Sequence, residues 1–280
     1  MNICLIDDFF IEDGLLGGGE LNNNELVLLL KQNGNEVSKI NSHKVTVEYL
    51  KNNKDLNFII SNFIRLGNDC IDYLTSNLNY VIYEHDHKYL AERNPAFYED
   101  FKAPKDKIIN FNFYNNAKNI FCQSEFHSSI VRKNLELDNI ISLGGNLWSL
   151  EILQIIEEIS KKEKNDICSI MDSKILHKNT HGAISYCANK GLKYDLISSD
   201  DYITFLNRIG KNKKLVFFPQ TPETLSRIVV ESRMMGMSII TNDMVGATKE
   251  KWFPSKGAEL INIIKQKRST IPEIIEMSFR

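Results

Sequence analysis

Two short apolar runs, residues 215–218 and 237–240, enclose a stretch with helical punctuation, and this arrangement constrains the fold more than any other feature of the chain. The first run ends at Pro219, which reads as a buried strand stopped where its ladder must end. A helix opens at Thr221 or at the Pro222-Glu223 pair and runs to about Met235, where Gly236 supplies the C-terminal stop. The second run is then the next parallel strand, because parallel neighbours need a crossover of this kind. Within this strand-helix-strand unit, Glu223 stands in the entry loop and Glu231 about two turns down the helix.

That spacing has a chemical use. In an open parallel sheet, ligands sit beyond the carboxyl ends of the strands. A helix beginning near Leu225 aims free backbone N–H groups there, which suits a phosphate. A carboxylate ahead of the helix and another inside it would bind hydroxyls on either side of that phosphate. A nucleotide-sugar presents such hydroxyls on its sugar and on its ribose. The alternative is an ordinary amphipathic helix with two exposed glutamates.

The rest of the chain follows the same grammar. Strands are expected at 2–6, 36–40, 57–62, 79–83, 119–123 and 140–143, with helices at 20–31, 45–51, 69–76, 112–118 and 124–134 between them. The charged amphipathic segment 150–164 ends in KKEKN and reads as a linker. Strands at 166–171 and 194–197 and helices at 181–190 and 202–210 lead into the unit described above, and helices at 252–267 and 271–277 close the chain. This alternation predicts an α/β protein with two doubly wound domains: residues 1–148, a linker helix over 149–165, a second domain over 166–268 and a final helix over 269–280. A length of 280 residues accommodates that.

Charge narrows the function classes. Lys plus Arg is 34 and Asp plus Glu is 36, so no overall field favours nucleic acid, although Lys102, Lys105, Lys107, Arg132 and Lys133 would make a local basic groove. Five cysteines without a CxxC pair suit free thiols in a reducing compartment. No signal peptide and no long apolar span is read, so a cytoplasmic protein without a transmembrane segment is expected. The glycines of Gly17-Gly18-Gly19-Glu20 do not form a dinucleotide fingerprint. The run Glu84-His85-Asp86-His87 invites a metal reading, yet neighbours along a strand point to opposite faces, so no metal is expected there. Residues 88–104 lack clean periodicity and read as a lid or acceptor-side loop, which Tyr89, Arg93, Tyr98 and Lys102 could line, simple surface packing being the alternative.

The segment PETLSRIVVESRMMGMSIIT resembles the E-x7-E signature region of retaining GT-B glycosyltransferases, with Ser232, Arg233 and Ser238 as departures from the usual pattern. The resemblance runs from Gly17 to about Thr241. It implies two Rossmann-like domains facing a cleft, the first on the acceptor side, the second holding the nucleotide-sugar, and the last helix crossing back to the first. It also implies transfer of a sugar from a nucleotide diphosphate sugar to a hydroxyl, with retention and without a metal. On this likeness Glu223 holds the transferred sugar, Leu225 and Ser226, with Thr224 beside them, face the diphosphate, and Glu231 binds the ribose. Lys178 resembles the lysine that neutralises the diphosphate, and Lys174 stands in for the usual arginine as a point charge. Gly18 and Gly19 resemble a glycine loop near donor phosphate and acceptor, and His85 a histidine facing the donor sugar. The expected catalytic set is therefore His85, Glu223 and Lys178. A UDP-sugar is the first donor implied, a GDP-sugar the second, with no further cofactor. The acceptor would be a glycan, a small molecule or a hydroxymethylated DNA base, and the protein a monomer or homodimer. The alternatives are a non-catalytic nucleotide-sugar binding module and, against the missing fingerprint, a sugar-phosphate epimerase or reductase.

Overall fold

The computed structural model describes residues 1–14, 17–198 and 201–280. These form two α/β units, each built on its own parallel sheet, as the alternation of runs requires.

The first unit comprises residues 1–147 and 267–280. Its elements are β1 (Asn2–Asp7), α1 (Gly18–Gln32), β2 (Glu36–Asn41), α2 (Val47–Asn52), β3 (Asn57–Ile60), α3 (Asn68–Asn77), β4 (Tyr80–Glu84), α4 (Phe111–Asn116), β5 (Ile120–Cys122), α5 (Glu125–Leu135) and β6 (Ile140–Ser142). The strands lie in the order β2-β1-β3-β4-β5-β6, all parallel. Both faces are covered, so the central strands are largely apolar: Cys4, Ile6, Phe58 and Ile60 enter one core, and Ile3, Leu5, Ile59 and Val81 the other. The order reverses between β1 and β3, which makes their carboxyl ends the switch point where this topology binds ligands.

The second unit comprises residues 148–266. It contains α6 (Leu150–Ser160), β7 (Asn165–Met171), α7 (Thr180–Asn189), β8 (Tyr194–Ile197), α8 (Tyr202–Ile209), β9 (Asn212–Phe217), α9 (Arg227–Met234) and β10 (Ser238–Thr241). The order is β10-β9-β7-β8, all parallel, and the switch point falls between β7 and β9. Helix α6, read from the sequence as a linker, buries Leu153, Ile156 and Ile159 in this unit's core. Among the described residues no helix is long and apolar enough to cross a membrane.

Two helices differ from expectation. The first is α9, which opens at Arg227, several residues after Pro222, because residues 223–225 are held extended: Glu223 N–H donates to Met244 O at 2.7 Å, Gly246 N–H to Glu223 O at 2.9 Å and Ala247 N–H to Leu225 O at 3.0 Å. Near the C-terminus, the expected pair of helices is one, α10 (Ala258–Met277), with Pro272 inside it. An internal proline removes a backbone hydrogen bond, yet Ile271 and Ile275 are both fully buried, and that packing carries the helix through.

Candidate functional site

At the switch point of the second unit the sequence places a strained serine at the head of a helix. Ser226 is the residue before α9, with φ 76° and ψ 94°, a left-handed backbone that costs a non-glycine residue free energy. Serine ordinarily caps a helix by accepting from its own first turn, but here it makes no such bond. Its Oγ is buried and has no partner among the described residues. The first N–H groups of α9 lack helical acceptors by construction and carry the positive end of the helix dipole. A buried hydroxyl without a partner among the described residues, at the head of a helix, is the kind of polar group that calls for an explanation.

Lys178 and Glu223 belong to the same switch point. Lys178 closes a short turn after β7, and its Nζ donates to Glu223 Oε1 at 2.6 Å while lying 6.0 Å from the Phe217 ring centroid. The turn is held by Asn179, whose side chain caps α7 through the Gly182 N–H and donates to Phe218 O. Glu223 is therefore not a free carboxylate, and an incoming anion would have to share Lys178 with it. Thr224 is half-buried. The side chain of Leu225 sits in the core, so what it offers a ligand is its backbone N–H. Lys174 is exposed and makes no hydrogen bond or ion pair among the described residues, so it is not built into the site.

Glu231 lies inside the second unit with 2% of its surface exposed. Its Oε1 accepts from Trp148 Nε1 at 2.8 Å and from the Tyr202 hydroxyl, and lies 3.4 Å from Arg227 Nε. The Arg227 guanidinium lies 4.3 Å from the Trp148 ring centroid, a cation–π contact. All three partners take one oxygen, and Oε2 bonds none of the described residues. The sequence suggested neither Trp148 nor Tyr202, each remote from Glu231 along the chain. Arg227, at the first position of α9, was legible only as a helix residue.

The first unit gathers a polar chain at the ends of β1, β3, β4 and β5. Asn146 Nδ2 donates to Gln123 Oε1, Gln123 Nε2 to His85 Nδ1, His85 Nε2 to Asn23 Oδ1 at 3.0 Å, and Asn23 Nδ2 to Asp7. Asn23 Nδ2 also donates to Ser61, so its Oδ1 must accept, which assigns the proton of His85 to Nε2. Both ring nitrogens of His85 are thereby taken, and the ring stacks on Tyr83 at 4.7 Å. Burial, reinforced by the charge of Lys88, lowers the His85 pKa to about 3, so the ring is neutral. The direct polar contact to a sugar expected of His85 is thus not offered by either nitrogen. Gly18 and Gly19 open α1, and a Cβ on Gly19 would lie 3.7 Å from Asn62 Nδ2 and 3.9 Å from the His85 ring. The glycine loop therefore packs directly on this network.

Asp7 is fully buried, and desolvation pushes its carboxyl up to about 6 against the hydrogen bonds from Asn62 and Asn23. Because the folded state holds this proton more tightly than the unfolded chain, the stability it contributes is present below about pH 4 and lost as pH rises through about 6. The difference in unfolding free energy between wild type and Asp7→Asn is expected to fall by about 2 kcal/mol between pH 4 and pH 7 in urea melts. A difference independent of pH would show that Asp7 titrates as a normal carboxyl.

The residues of the 84–87 run each bond elsewhere. Glu84 accepts from Lys88 and Tyr114, Asp86 from Lys88 and Arg93, and His87 Nδ1 pairs with the Tyr89 hydroxyl at 3.0 Å. The basic groove considered for nucleic acid is largely neutralised: Lys102 pairs with Glu136, Lys107 with Glu92 and Arg132 with Glu125, while Lys133 donates to Asp100 O.

No family model matches this sequence, and no curated protein matches it. Solved structures do match in three dimensions. HepE of Anabaena in complex with UDP and glucose is 14% identical, with 99% of this chain and 94% of that chain covered and a TM-score of 0.55. The same protein in complex with UDP-glucose gives 12% identity, 99% and 92% coverage and a TM-score of 0.54. The lipopolysaccharide outer core galactosyltransferase WaaB in its apo form gives 12% identity, 99% and 95% coverage and a TM-score of 0.51. The likeness is one of fold, and the chain has the GT-B architecture of two Rossmann-like α/β domains.

Proposed function

We propose that the protein is a glycosyltransferase that takes a sugar from a UDP-sugar and passes it to a hydroxyl acceptor. The observation that carries this reading is Ser226: a buried hydroxyl without a partner among the described residues, in a left-handed backbone at the head of α9, in the same loop as Glu223, which pairs with Lys178. The structures of HepE with UDP and UDP-glucose support the choice of donor.

In this reading the diphosphate rests on the amide ends of α9 and on Ser226 Oγ, and Lys178 neutralises the charge that develops on the leaving UDP. Glu223, released from Lys178 by the phosphate, binds hydroxyls of the transferred sugar. Glu231 offers Oε2 to the ribose, its other oxygen being fixed by Trp148 and Tyr202. His85 is a positioning residue that holds Gln123 and Asn23 beside the glycine loop of α1. Because Lys178 and the helix amides supply the positive field, transfer is expected without a divalent ion, and with retention at the anomeric carbon.

Incubation with UDP-glucose, UDP-galactose and GDP-mannose, with and without EDTA, tests this. Release of UDP and a product of unchanged anomeric configuration by proton NMR are expected, with EDTA lowering the rate less than twofold. Tight UDP binding without turnover would establish the binding-module alternative, and failure to bind any of the three donors would remove both.

A further inference from the structure

We infer, building on the transfer reading, that the acceptor carries an apolar portion beside its hydroxyl, and that this portion sits in a cavity of the first unit between the loops that follow β3 and β4. The cavity has a volume of about 290 Å3, and its walls include Phe63, Ile64, Ile71, Leu90 and Ile109.

Of the polar groups on its lining, Lys88 and the Asn110 amide are already engaged, Asn110 Nδ2 donating to Lys88 O at 3.2 Å, while Asn68 and Arg93 stand at the rim. Lys88 is fully buried, and its ammonium donates to Glu84, to Asp86 at 2.8 Å and to Asn62 at 3.3 Å, which uses all three of its protons. With those three bonds made, Lys88 brings the cavity no free donor. A bare sugar entering here would give up water for few hydrogen bonds, whereas an aliphatic or aromatic group would lose nothing. Ile64 is 51% and Ile109 41% exposed, so apolar surface at the rim is left for an occupant to cover.

Two polar groups remain at the mouth, the exposed Asn68 and Arg93. Arg93 directs Nε and Nη2 to Asp86, leaving Nη1 without a partner among the described residues, and it is held with φ 54°. A backbone strained at a lining residue is consistent with a position set by a site. The floor connects to the strand-end network: Lys88 bonds Asn62, and Asn62 donates to Asp7 at 3.2 Å. An acceptor with its apolar end in the cavity would therefore carry its hydroxyl toward the network that holds His85.

Methyl NMR of isoleucine-labelled protein titrated with monomeric n-octyl β-D-glucoside tests the cavity directly, with glucose as the matched probe lacking an apolar end. Saturable shifts at Ile64, Ile71 and Ile109, none with glucose, and at least tenfold weaker binding in Ala91→Trp are expected, since Ala91 lines the same cavity. Shifts equal at the remote exposed residues Ile175 and Ile203, or no saturation below the micelle concentration, would overturn the assignment. A second arm uses phosphatidylcholine vesicles with and without a long-chain glucolipid: glucolipid-dependent sedimentation lost in Ala91→Trp identifies a lipid source, and binding of the monomer alone a soluble one. UDP binding and UDP-glucose turnover are read on the same samples. Octyl glucoside binding without turnover keeps the cavity and removes the transfer reading, while turnover without octyl glucoside binding does the reverse.

Discussion

Lys178→Ala is expected to lower kcat/KM for sugar transfer by roughly 100- to 1000-fold, the range seen when one preorganised group facing a developing negative charge is removed. Lys178 is only partly exposed and lies 2.6 Å from Glu223, in a unit whose Ser226 hydroxyl and helix amides face the same switch point. In the free protein the pair neutralises itself. On the proposed transfer reading, charge grows on the diphosphate as UDP leaves, and an ammonium already in place needs no reorganisation to meet it. A purely structural salt bridge predicts something different: loss of Lys178 would cost stability and little else. The double variant Lys178→Ala/Glu223→Gln separates the two, because it removes the stranded carboxylate. Melting temperature near wild type in the double variant assigns the stability loss to the stranded carboxylate, and Lys178→Met alone, assayed well below its melting temperature, reads turnover with Glu223 in place: turnover near wild type would show that the pair only holds the loop. Lys178→Arg keeps the charge and should recover part of the rate.

Lys88→Met is expected to destabilise the first unit by about 3–5 kcal/mol, because it leaves a buried carboxylate without its counter-charge. Glu84 and Lys88 are both fully buried, and each is bonded on every side: Glu84 by Lys88, the Tyr114 hydroxyl and Asp86 N–H, Lys88 by Glu84, Asp86 and Asn62. Burial pushes the Glu84 pKa up, and the Lys88 charge pulls against it, while Lys88 itself is held above its usual range by Asp86 and Glu84 in spite of burial. Removing the ammonium leaves only the upward push, so Glu84 takes a proton or the unit opens. Differential scanning calorimetry should show a drop of about 10 °C or more in the transition of that unit. Adding Glu84→Gln should recover more than half of it. A change below about 1 kcal/mol would mean that the pair exchanges with water more freely than its burial implies.

The sequence revealed the two sheets because their strands are covered on both faces and so appear as continuous apolar runs such as Ile3–Ile6 and Phe58–Ile60. It also marked the loop between β9 and β10, since proline, glutamate and glycine punctuate that crossover in a readable order. The start of α9 was misread for a reason that lies twenty residues downstream. Thr221, Pro222 and Glu223 have the composition of a helix start, but the backbone bonds from Glu223 and Leu225 to residues 244–247 hold them extended.

What the amino-acid order determined by itself is local: period, punctuation, and the placement of Glu223 and Lys178 in loops after strands. Tertiary structure alone decided which partners those groups meet. Glu231 looks like an exposed helix carboxylate until Trp148 and Tyr202 close on it, and His85 looks like a free imidazole until Gln123 and Asn23 take both nitrogens. Hydrogen bonds of that kind depend on distances between residues far apart in the chain, which periodicity does not encode and which only the packing of the sheets sets.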